Sequence, residues 1–242
     1  MKIFATLLAA VALALAAPTD VDKRQVAKGG KGGQAGKGGI GGLLGGGTCL
    51  VFARGSTEPA PLVRYCQEDN DVIREADIRK GLIIGPGLLS ALRFKIPSIQ
   101  SYPVYYSADL FTNISTQRTD AASIAIAVST FQRAARACNV IVAGGYSQGA
   151  AVMHNAVGGR SLDSSIKSKI AGVALFGDTR NLQDGGHIPN FPKERSRVWC
   201  NLSDGVCGGA LLVNAGHLSY GPGTTSEAAT WLAGRISAMG RG

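Results

Sequence analysis

Histidine is scarce in this 242-residue chain, with three copies, and aromatic side chains make up only 6% of it. No predicted helix carries a histidine pair or a cysteine pair at metal-ligand spacing, so neither a metal nor a cofactor is expected. Basic and aromatic residues are not interleaved as they are on an RNA-binding platform, which argues against nucleic acid as a partner despite a formal net charge of +9. Beyond residue 17 no apolar run is long enough to span a bilayer.

What the chain does have is a leader-like start and an excess of glycine, 34 residues in all. Lys2, the apolar run from Ile3 to Ala16 and the small-residue Ala14-Leu15-Ala16 read as a signal peptide over residues 1–16. Lys23-Arg24 closes an expected propeptide, 17–24, and Gln25 to Gly47 is a Gly-rich, lysine-bearing stretch expected to be a flexible tail. The folded domain is expected over 48–242, enough chain for one sizeable core. Removing residues 1–24 takes away three basic and two acidic side chains, so the charge falls from +9 to +8. A secreted, basic protein favours acidic or carboxylate-bearing surfaces.

Gly145-Tyr146-Ser147-Gln148-Gly149 follows the apolar Val140-Ile141-Val142-Ala143 and precedes the helix-forming Ala150-Ala151-Val152-Met153. Strand, tight turn and helix are the context in which a Gly-x-Ser-x-Gly motif presents a nucleophile, and side chains in place of the flanking glycines would collide with the packed strand and helix. Serine needs an adjacent base, for which neutral imidazole is suited. His154 follows Ser147 by about two helical turns and reads as a packed or surface helix residue; His187 lies in a Gly-rich loop. His217 remains, and Asp204 lies between it and Ser147 in the chain, giving the Ser, Asp, His order of α/β-hydrolases. Asp178 and Asp184 are the rival carboxylates. The N–H of Gln148, the residue after the nucleophile, is an expected oxyanion donor.

Phe52-Ala53-Arg54-Gly55-Ser56-Thr57-Glu58, the Ala143 to Ala150 segment, Ile170 to Thr179, and the Cys200 to Cys207 loop with His217-Leu218-Ser219-Tyr220-Gly221-Pro222 together resemble the fungal cutinases. The resemblance implies a three-layer α/β/α sandwich, a minimal α/β-hydrolase with a five-stranded, mainly parallel sheet and an exposed nucleophile. It also implies Ser56 as the second oxyanion donor and a Cys49–Cys138 disulfide, although both cysteines stand closer to the motifs that follow them than is usual in the family. A Cys200–Cys207 disulfide would close the loop around Asp204, contributing roughly 2 to 3 kcal/mol and restricting the carboxylate. Cys66 is then left over. It falls in Val63 to Lys80, an atypical insertion of four basic and five acidic residues that reads either as a translated intron or as a helical surface insertion.

The expected activity is secreted, extracellular ester hydrolysis of cutin or a related polyester by a monomer, with Ser147, His217 and Asp204 as the triad. Acetylxylan esterase is the nearest enzymatic alternative; a catalytically weak surface-binding protein is the other. Tyr105, Tyr106, Leu110 and Leu211-Leu212-Val213 are expected to rim the cleft. Asn113-Ile114-Ser115 and Asn201-Leu202-Ser203 are glycosylation sequons.

Overall fold

The computed structural model describes residues 47–58 and 83–240. The signal peptide, propeptide and tail expected over 1–16, 17–24 and 25–47 therefore lie outside the described residues, Gly47 excepted, as do Cys66 and the insertion of 63–80.

Five strands form one sheet: β1 (Gly47–Ala53), β2 (Gln100–Pro103), β3 (Cys138–Tyr146), β4 (Ile170–Phe176) and β5 (Ser196–Trp199). Their order is β2-β1-β3-β4-β5, and all four pairings are parallel. Parallel strands need crossover connections, and these supply helices that cover both faces. The strands are accordingly apolar on both sides. Val51, Ala53, Ile141, Ala143, Val173 and Leu175 face one core, while Leu50, Phe52, Val142, Ala174 and Phe176 face the other.

Helices α1 (Gly85–Lys95) and α7 (Pro222–Met239) pack against the second face through Leu88, Leu92, Leu232 and Ile236. On the first face lie α2 (Ala121–Ala137), which contributes Phe131, and α3 (Gln148–Gly158), which contributes Val152 and Met153. The carboxylate of Asp120 caps α2 by accepting from the Ser123 N–H at 2.8 Å. Short helices α4 (Ser164–Lys169), α5 (Asn181–Asp184) and α6 (Ala215–Leu218) occur in connections.

The Cys49–Cys138 disulfide is present, with Cα atoms 5.9 Å apart, and ties the start of β1 to the start of β3. Beside it the β1–β3 register shifts between Gly47 and Thr48, which pair with Cys138 and Val140. Ser147 follows the C-terminal end of β3, the central strand, where the chain must turn into α3. Ligand sites of parallel sheets open at such carboxyl ends.

Candidate active site

At the strand-to-helix turn Ser147 has φ 55° and ψ −122°, a conformation costing a non-glycine residue on the order of 1 to 3 kcal/mol. Its N–H donates to the Phe176 carbonyl at 2.9 Å, which anchors the turn to β4. The flanking glycines are required by close approach. A Cβ at Gly145 would press into the Gly149 backbone, and one at Gly149 into the carbonyl oxygens of Ala53 and Arg54. This agrees with the steric reason expected for them.

Ser147 and His217 line one cleft of about 500 Å³, together with Ser56, Asn113, Tyr146 and Thr179. His217, on α6, is buried, and its Nδ1 lies 3.0 Å from both oxygens of the buried Asp204. Asp204 also accepts from the Val206 N–H at 2.8 Å and from the Tyr220 hydroxyl at 2.6 Å. Burial opposes its ionisation, but the hydrogen bonds from Tyr220 and His217, with the attraction of the imidazole, outweigh that and hold the carboxyl below its ordinary value of 3.8. The Cys200–Cys207 disulfide closes the loop that carries it.

The imidazole is fixed from three more directions. The Tyr146 ring stacks on it with centroids 5.0 Å apart, and the Tyr146 hydroxyl donates to the His217 carbonyl at 2.8 Å. Burial pushes the Tyr146 and Tyr220 hydroxyls above their ordinary values, so both remain donors. The Asn214 side chain caps α6 by accepting from the His217 N–H at 3.0 Å. Gly177, at φ +53°, passes so close that a Cβ there would stand 2.7 Å from His217 Cε1.

Ser56 lies on the loop after β1, which Arg54 and Glu58 brace. The Arg54 guanidinium is buried and donates to the carbonyls of Glu58 (3.0 Å) and Tyr106 (2.6 Å), while Glu58 accepts from the N–H groups of Gly55 and Ile83. Ser56 Oγ donates to Gln148 Oε1 at 2.9 Å and accepts from Asn113 Nδ2 at 2.8 Å. Gln148 Nε2 in turn donates to the Asp109 carbonyl and to Thr112 Oγ1, so the Ser147 turn, the loop after β1 and the 3-10 turn Leu110–Ile114 are joined by side chains. In the sequence Asn113 reads as a sequon close to where the cutinase resemblance puts the loop that supports the oxyanion site. Its side chain faces inward and is committed to Ser56 and to the Leu110 carbonyl.

His154 is a packed helix residue: it is buried, with Nδ1 3.0 Å from Asp178 Oδ2. Its Nε2 lies 3.0 Å from Asp184 Oδ2, off the line that a hydrogen bond needs. The rival carboxylates are thus paired with the rival histidine. His187 is on a loop, its Nδ1 3.2 Å from the Gly185 carbonyl. Of the apolar residues expected at the rim, Leu110, Leu211 and Val213 line the cleft and Leu212 is exposed beside them. Tyr106 does not: it is buried beneath Arg54, whose guanidinium lies 5.1 Å from its ring centroid, because the loop after β1 needs that support. Tyr105 faces a separate depression with Arg133 and Arg136 on α2. Among the described residues, no group of three or more His, Cys, Asp or Glu side chains is arranged to hold a metal ion.

A family model described as Cutinase matches residues 74–236. The chain belongs to the cutinase family. It is 41% identical over 192 residues to "Probable cutinase 3" of Neosartorya fischeri, covering 77% of this chain and 79% of that protein. To "Cutinase" of Fusarium solani subsp. cucurbitae it is 34% identical over 99% of this chain and 98% of the other. Among solved structures it is similar to a Trichoderma reesei cutinase in complex with a phosphonate inhibitor, with a TM-score of 0.63, 25% identity, and coverage of 80% of this chain and 78% of that one. As a cutinase, the protein is a carboxylic ester hydrolase.

Proposed function

We propose that this cutinase is a secreted serine esterase that cleaves the ester bonds of cutin-type polyesters through an acyl-enzyme on Ser147. The observation that carries the reading is that Ser147, in a strained turn, shares one cleft with His217, whose Nδ1 is bound to a buried, ionised Asp204.

The chemistry follows from those positions. Ser147 Oγ attacks the ester carbonyl carbon while His217 Nε2 takes its proton, and Asp204 holds Nδ1 protonated and stabilises the imidazolium. The carbonyl oxygen becomes an oxyanion. Gln148 is the first residue of α3, so its N–H has no acceptor within the helix and is available to that charge. Ser56 supplies the second donor. Its hydroxyl hydrogen is directed at Gln148 Oε1, so the Ser56 N–H is the donor already free to serve, and the hydroxyl joins by turning away from Gln148 while Asn113 holds its oxygen. His217 then protonates the departing alcohol, and water repeats the sequence on the acyl-enzyme.

Leu110, Phe111, Ile114, Val213 and Leu218 are exposed apolar residues on the segments that form the cleft, a surface suited to a waxy polymer. Two disulfides fit an oxidising, extracellular setting. Among the described residues no helix is long and apolar enough to cross a membrane. Action as a monomer is part of the same reading. The test is release of hydroxy fatty acids from cutin, beside hydrolysis of p-nitrophenyl butyrate and of acetylated xylan, by the parent and by Ser147→Ala. Cutin and butyrate activity lost in the variant supports the reading; activity confined to acetylxylan, or retained by Ser147→Ala, overturns it.

A further inference from the structure

Behind the cleft lies an ionic cluster to which ester hydrolysis assigns no task. His154 meets Asp178 and Asp184 as described above, and Arg180 forks onto the same Asp184 carboxylate, Nε to Oδ2 at 2.6 Å and Nη2 to Oδ1 at 3.0 Å. The Arg180 N–H donates to Asp178 Oδ1 at 2.9 Å. His154 and Asp178 are buried, while Arg180 and Asp184, 16% and 12% exposed, carry the cluster toward the surface. A planar guanidinium held at two points by one carboxylate has a fixed direction for its remaining nitrogen.

That nitrogen, Nη1, donates to the Thr116 carbonyl at 3.0 Å, across 64 residues of sequence. Thr116 follows the turn that carries Asn113. The same connection is held at neighbouring points: Arg118 donates to the Asn113 carbonyl at 3.2 Å, the Gln183 carboxamide, turned with its oxygen toward Arg118, accepts from it, and Asn155 on α3 donates to the Gln117 carbonyl at 2.9 Å. The connection has no strand or helix of its own between Ser115 and Asp120, and Arg118 has φ +58°. Bonds from Ser115 Oγ to the Thr119 carbonyl and from the Arg118 N–H to the Ser115 carbonyl shape it from within, the side chains above tie it to the rest of the fold, and through Asn113 it helps to set where Ser56 Oγ lies.

We propose that Arg180 is a positioning residue for the oxyanion hole: locked by Asp184, with Asp178 and His154 behind it, it pins Thr116 so that Asn113 keeps Ser56 beside Ser147. This rests on the reading of Ser56 as an oxyanion donor. A merely stabilising cluster would lower the unfolding temperature and leave turnover per intact site alone. A positioning cluster lowers kcat through Asn113, and the two effects then fail to multiply.

The experiment is a double-mutant cycle on p-nitrophenyl butyrate, with Arg180→Met, Asn113→Ala and the pair. Rates are expressed per site titrated with a p-nitrophenyl phosphonate, and Arg180→Lys and Asp184→Asn serve as milder variants should Arg180→Met fold poorly. The expected result is a kcat lowered about tenfold by Arg180→Met, and less by Arg180→Lys, with KM within about twofold, and less than about twofold further loss when Arg180→Met is added to Asn113→Ala. Full multiplication in the Asn113→Ala background, or an unchanged kcat in the Arg180 and Asp184 variants while Asn113→Ala is impaired, overturns the inference alone. An unimpaired Asn113→Ala overturns the inference and the part given to the Ser56 hydroxyl, and leaves the Ser56 and Gln148 N–H groups as the oxyanion donors.

Discussion

Replacing Gly177 with alanine should impair turnover as well as folding. Gly177 has φ +53°, where an L side chain costs about 1 to 2 kcal/mol, and its N–H holds β4 to β5 by donating to the Trp199 carbonyl at 3.0 Å. The new methyl would stand 2.7 Å from His217 Cε1, 2.8 Å from Nδ1 and 3.0 Å from Asp204 Oδ2. Ordinary contact begins near 3.4 Å, so the imidazole must retreat by roughly 0.7 Å. It cannot do so freely, because Tyr146 stacks on its face and Asp204 holds Nδ1. Misplacing a catalytic group by about 1 Å costs on the order of 100-fold in rate. The predicted outcome for Gly177→Ala is a kcat on p-nitrophenyl butyrate lower by about 30- to 100-fold, with KM little changed and the unfolding free energy lower by about 2 to 4 kcal/mol, the strained φ and the overpacking together. A kcat within threefold of the parent would refute both the proposed role of His217 as the base and the argument that the Gly177 wall positions it.

Three further outcomes follow from the same geometry. Tyr220→Phe removes the 2.6 Å hydrogen bond to Asp204 and should cost about 1.5 to 3 kcal/mol at neutral pH. Because Asp204 is held below its unfolded value of 3.8, its contribution is present above that pH and is lost as pH falls through the folded value, so the variant's deficit should shrink in denaturant titrations below about pH 4. Replacing Cys200 and Cys207 together by alanine should lower stability by about 2 to 3 kcal/mol, and kcat as well because Asp204 loses its restricted loop; unchanged kcat with lowered stability would make the bridge a staple only. Glycopeptide mapping of protein secreted from yeast should find Asn113 unoccupied, since its Nδ2 is buried and bonded to Ser56; a glycan there in active protein would contradict the described site.

Much of this arrangement was readable in the chain because it is local. The apolar Val140 to Ala143 run, the turn glycines and Ala150 to Met153 lie side by side, and they became β3, the Ser147 turn and α3. The order of Ser147, Asp204 and His217 required only chain position, and the Asp204 loop announces itself by its flanking cysteines. What escaped notice joins residues distant in sequence. Tyr146 meets His217 across 71 residues, Asn113 meets Ser56 across 57, and Arg180 meets Thr116 across 64. None carries a periodic or spacing signal. Neither Tyr105 nor Tyr106 reaches the cleft, for the same reason: side by side they look like an aromatic rim, but the Tyr105 ring lies at a separate depression and the Tyr106 ring under Arg54.

The most direct measurement is the site of covalent capture by diethyl p-nitrophenyl phosphate, read by intact mass and peptide mapping while residual butyrate hydrolysis is followed. One diethylphosphoryl group on Ser147, with activity falling in step with labelling and neither occurring in His217→Ala, is the predicted result. Labelling of another residue, or full ester hydrolysis by protein whose Ser147 is completely labelled, would contradict it.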